Sequence, residues 1–122
     1  MSLLDRIDAA LFPPEKADLR EYRTAVLEIK AQAPYEPAFR ERLAEFDGYV
    51  HDRVRDIVAE GIERGDFADR ADPDVVASFV VTVINGAHTR SVASDHPMEE
   101  TRAVLVEYLE LHLATDEAVV AE

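Results

Sequence analysis

The chain has 122 residues, enough for one domain with its own core, and 26 Asp and Glu against 13 Lys and Arg give it a formal net charge of −13. Such a charge repels phosphate backbones, so nucleic-acid binding by this segment itself is not expected. Cysteine is absent, which excludes disulfides and thiolate metal sites; no apolar run reaches the roughly 18 residues of a membrane span, and the start Met1-Ser2-Leu3-Leu4-Asp5-Arg6 does not read as a signal peptide, so a cytoplasmic, single-domain protein is expected.

A short first helix is predicted from about Ser2 to Phe12, with Leu4, Ile7 and Leu11 on one face. Pro13-Pro14 ends it, and residues 1–14 read as a first helix or the remnant of a linker. A second helix is expected from Glu15 or Asp18 to Ala33, on the step of Leu19, Tyr22, Val26, Ile29 and Ala33. Asp18 and Glu21 have the spacing of a capping box, and Pro34 closes the segment.

The third helix has the clearest pattern. Pro37 suits a first turn, and Phe39, Leu43, Phe46, Val50, Val54, Ile57 and Gly61 form one stripe. The length is about 28 residues, or roughly 42 Å. Gly65 is the expected left-handed cap.

Asp72-Pro73 then opens a fourth helix to about Arg90, Asp as N-cap and Pro at the first position. Val75, Val76, Ala77, Phe79, Val80, Val81, Val83, Ile84 and Ala87 surround nearly the whole cylinder. A helix apolar all round must be covered all round, and in a domain this small one side is expected to need a partner. Gly86 inside it suggests a close approach by another helix. The fifth helix is expected to start near Asp95, His96 and Pro97, with a broad face of Val104, Leu105, Tyr108, Leu109, Leu111 and Leu113. Residues 115–122 read as a frayed acidic tail. No segment alternates like a strand, so the fold class is all-α, an antiparallel bundle of about five helices.

No catalytic constellation is present, and no enzyme activity or cofactor is expected. There is no nucleophile elbow and no phosphate-cradling glycine loop. Asp47 and His51 have chelating spacing, but no third ligand flanks them and they read as a surface pair, so no metal is expected. Carboxylate-bridged iron bundles need Glu three residues before His; Gly48, Asn85, Ala93 and Leu109 hold those places. His96 reads as a helix-start residue; His88 and His112 read as packed interface residues or as polar groups in a cavity. The aromatics Tyr22, Tyr35, Phe39, Phe46, Tyr49 and Phe79 fit an ordinary core, and together they also fit an apolar cavity. Glu28 or Asp47 beside them would suit a cationic ligand. Only Lys16 and Lys30 are lysines, and an acidic, lysine-poor chain suits a high-salt cytosol; a halophilic source is expected.

The stretch Glu60-Gly61-Ile62-Glu63-Arg64-Gly65-Asp66-Phe67, then Asp72-Pro73, Ala77 and Ile84-Asn85-Gly86-Ala87, resembles the C-terminal domain of TetR-family transcriptional regulators. Asn85 stands where the family frequently has Asp. The resemblance is best over residues 35–114. It implies a homodimer in which the last two helices pair as a four-helix bundle. It also implies a small-effector cavity that controls an N-terminal helix-turn-helix. Nothing before Asp18 is long or basic enough for that unit, so DNA contact is expected only through a domain missing from this chain.

On this basis the effector site is expected at Tyr22, Val26, Ile29, Phe39, Phe46, Tyr49, Val50, Phe79 and Val83, for an apolar or cationic molecule. The dimer interface is expected at Val81, Ile84, His88, Leu105, Tyr108, Leu109 and His112. The expected function is effector sensing and dimerisation in a transcriptional repressor; the alternative is a helical dimerisation or adaptor module without a ligand.

Overall fold

The structure is a computed structural model that describes Arg6 and residues 17–115. Four helices occupy the described part of the chain: α1 (Ala17–Gln32), α2 (Pro37–Glu63), α3 (Pro73–Ser94) and α4 (Met98–His112). The helix expected at Ser2–Phe12 and the tail after Thr115 lie outside the described residues, apart from Arg6.

Local chemistry sets the boundaries of α2 and α3. Pro37 occupies the first turn of α2, where a missing N–H leaves no helical bond unmade. At its other end Gly65 takes φ 82°. The Asp66 N–H reaches the Gly61 carbonyl at 2.8 Å and the Gly65 N–H reaches that of Ile62 at 3.0 Å. This is the Schellman pattern, and it satisfies two carbonyls the helix end would otherwise leave open. Asp72 then caps α3, its side chain accepting from the N–H groups of Asp74 at 3.0 Å and Val75 at 3.4 Å. The loop between the two caps buries Phe67, Ala68 and Ala71.

The core joins Val54, Ile57 and Val58 of α2 to Val76, Ala77, Val80 and Ile84 of α3 and to Leu105 and Leu109 of α4. Burying one such side chain contributes about 1.5–3 kcal/mol before entropy is counted. The end of α4 is fastened to the α2–α3 loop. The Ala68 N–H donates to the Leu113 carbonyl at 3.0 Å, and Arg70 donates to the Ala114 carbonyl at 3.0 Å.

Helix α3 lies at the centre and packs against all three of the others, most extensively against α2. His51 meets Asp74 and Asp47 meets Asn85, so α2 and α3 run in opposite directions. This revises the expectation that one whole side of α3 is left for a partner. Much of its apolar perimeter is covered within the chain, because α1 and α4 add to the cover from α2.

The corner between α3 and α4 also differs from expectation. The sequence places Asp95 at the start of the last helix; instead it caps the end of α3, five residues beyond Arg90, in the left-handed conformation at φ 52°. Asp tolerates that region better than most residues. The N–H groups of Asp95 and His96 both point to the Arg90 carbonyl, and Pro97 precedes α4. Arg20 of α1 reaches this corner, donating to Asp95 at 2.8 Å. The buried Arg23 of α1 donates to the Met98 sulfur at 3.4 Å. On the outer side of α2, the Arg55 guanidinium is held above its ordinary pKa, first by its hydrogen bond to Asp56 and then by the charge of Asp52.

Candidate functional site

A continuous apolar surface among the described residues follows from two stripes that miss the core. On α3, Val75, Phe79, Thr82 and Gly86 step by four, three and four, and all are exposed. On α4, Val104, Tyr108 and Leu111 do the same. Val75, Val104 and Leu111 keep 64%, 61% and 65% of their surface. The two stripes meet where the rings of Phe79 and Tyr108 approach to 5.0 Å between centroids. His112 extends the line, nearly parallel to Tyr108 at 5.4 Å.

Along this seam runs an open groove of about 470 Å³. Phe79, Val83, Val104, Leu105 and Tyr108 line its apolar part; Arg90, His96, Glu100 and Thr101 make it polar. Arg90 Nη2 lies 3.3 Å from His96 Nδ1. Guanidinium only donates, so Nδ1 accepts and the ring proton sits on Nε2.

The residues expected at the dimer interface divide into two groups. Val81, Ile84, Leu105 and Leu109 are buried within the chain and offer little surface to a partner, because they lie on the inward sides of α3 and α4. His88 is partly buried. Tyr108 and His112 are exposed on the seam. Val75, Val104 and Leu111 share that seam but were not among the interface residues expected. For the α3 part of the seam the sequence does hold a signal. Residues 75–94 contain no Asp or Glu, in a chain that has 26. A solvated helix face in so acidic a protein would carry some.

The residues expected at the effector site also scatter. Phe79 and Val83 line the seam with Tyr108. Val50 and Val83 pack against the central core. Val26 and Phe39 are half-buried, whereas Tyr22, Ile29, Phe46 and Tyr49 are exposed on α1 and α2. Gly86 faces open space: a Cβ built there meets nothing within 4 Å, so no helix of the same chain needs its smallness.

Asp47 and His51 turn to different partners on α3. His51 Nε2 lies 3.2 Å from an Asp74 carboxylate oxygen, and Asp47 accepts from Asn85 at 3.4 Å. Among the described residues no three His, Asp or Glu side chains gather as a metal site. No described helix is long and apolar enough to cross a membrane.

The model of the BetI-type transcriptional repressor C-terminal domain matches residues 2–114. The chain belongs to the TetR family. A TetR transcription regulator from Haloarcula marismortui ATCC 43049 superposes with a TM-score of 0.81 at 33% identity, over 91% of this chain and 62% of that one. A TetR-family regulator from Rhodococcus sp. has the same fold at 22% identity and TM-score 0.81, over 93% of this chain and 61% of that one. The chain thus spans less than two thirds of either TetR structure. A search of curated proteins finds no match. The match makes this chain a TetR-family regulatory domain.

Proposed function

We propose that this domain pairs with a second copy of itself through the exposed stripes of α3 and α4, and that the pair relays a small effector to a DNA-binding unit. One observation carries the reading: an apolar, carboxylate-free α3 face lies exposed beside a second apolar stripe on α4. Two adjacent helices with apolar outer faces form a four-helix bundle when a two-fold axis lays the same pair against them. In this arrangement Phe79, Val104, Tyr108 and Leu111 lie between subunits. Gly86, open to solvent in one chain, lets a partner helix come close.

The test is solution mass by light scattering. The expected result is a dimer that Tyr108→Glu or Leu111→Glu converts to a folded monomer. A wild-type monomer at high concentration in molar salt would end this reading.

Family membership supports the effector role, with an apolar or cationic molecule as the ligand class. One observation favours the other reading, a dimerisation module without a ligand. Tyr22, Phe46 and Tyr49, expected to enclose the effector, stand open to solvent. Titrating a hydrophobic cationic dye separates the two. Saturable binding lost in Tyr49→Ala and retained in Tyr108→Ala supports sensing; no saturation supports the module.

A further inference from the structure

We infer that pairing through the α3–α4 face is governed by ionic strength, closing at high salt and opening at low salt; this rests on the dimer reading above. A two-fold interface sets one surface patch against its own copy, so a patch whose edge carries an excess of one charge faces an edge with the same excess. The edge here is acidic. On α4, Glu100 and Glu107 are exposed and lie one turn from Val104, with Glu107 one turn from Leu111 as well. Glu100 also lines the groove. Among the described residues that line it, Arg90 is the one Arg or Lys, and it is held against His96. Behind the edge, each chain brings a net charge of −13.

Apolar contact favours closure and carboxylate repulsion opposes it. Only the second depends strongly on salt, because the screening length falls from about 10 Å at 0.1 M to about 3 Å at 1 M. Repulsion that spans the edge in dilute buffer is therefore nearly absent at molar salt. The device needs no ligand and no change of fold: the apolar stripes stay as they are while the charge beside them is switched off.

The experiment measures the dimer dissociation constant of the full chain by sedimentation in about 0.1 M and about 2 M KCl. Circular dichroism is recorded in both. The dimer is expected to tighten at least about tenfold at high salt. Glu100→Gln with Glu107→Gln is expected to tighten it at low salt and leave it nearly unchanged at high salt. Glu41→Gln with Glu45→Gln on α2, which removes equal charge elsewhere, is expected to do much less. A dimer equally tight at both salts overturns the proposal, as does an equal effect from the α2 pair. So does a loss of helix that tracks dissociation, because salt would then act on folding. A folded monomer in every condition, including the edge variant at high salt, sinks the dimer reading itself.

Discussion

Phe79 of α3 and Tyr108 of α4 place their ring centroids 5.0 Å apart, tilted by 40°, with both rings about half exposed. The pair closes the seam between two helices and at the same time presents its outer edges to solvent. The two side chains therefore serve the single chain and the proposed assembly together, unlike the buried leucines below them.

This double role can be measured. Phe79→Ala and Tyr108→Ala are each expected to weaken the dimer at least about tenfold, as partly buried aromatic anchors do. A double-mutant cycle on the folding of dilute chain should give a coupling of about 0.5–1.5 kcal/mol. Additive effects on folding would mean that the rings are neighbours without a mutual contribution.

Depth in α4 predicts a contrasting pair. Leu109 is buried to 1% exposure, and Leu109→Ala should cost about 2–5 kcal/mol of stability in chemical denaturation. Val104→Ala, on the exposed stripe, should cost the dilute chain under about 0.5 kcal/mol while weakening the dimer. Equal destabilisation of the dilute chain by both would contradict the placement of Val104 outside the core.

That contrast also marks what the sequence could and could not reveal. The 4-3 stripe of α2 foretold Val54 and Ile57 in the core because most of its other positions are charged, although it missed Val58. The caps at Gly65 and Asp72 were legible because capping depends on residues within one turn. In α3 the pattern fails. With apolar side chains on nearly every face, periodicity does not distinguish a side covered by α1, α2 and α4 from one left open. Val81 and Ile84 were therefore expected at the interface and are buried within the single chain, as are Leu105 and Leu109 on α4. The absence of Asp and Glu over residues 75–94 shows that some face of α3 is kept from water without saying which one. Asp95 escaped detection because Asp before His-Pro looks like a helix start, and only the left-handed backbone shows it to be an end.

The loop between the caps yields a prediction of its own. Asp72→Ala removes the acceptor for two N–H groups and should cost about 1 kcal/mol, with Asp72→Asn recovering most of it. Gly65→Ala should cost about 1 kcal/mol, because φ 82° strains any side chain even though the space beside it is open. Both are read in the melting curve of dilute chain. A neutral Gly65→Ala would mean that the cap relaxes to another geometry.

Salt should act on the fold as well as on pairing. At a net charge of −13 with two lysines, carboxylates crowd one another over the surface, and compaction brings them closer than they stand in the unfolded chain. Screening relieves the folded state more, so the melting temperature of dilute chain should rise from about 0.1 M to about 2 M KCl. Surface ion pairs such as Arg20–Asp95 and Arg64–Glu60 weaken over the same range, but each contributes under about 1 kcal/mol and the acids outnumber the cations two to one. Net repulsion therefore decides the sign. Potassium chloride is the salt to use, since sulfate would strengthen apolar burial directly and mask the effect. A melting temperature that stays flat or falls would mean the surface is not adapted to high salt and that its local ion pairs already balance the excess.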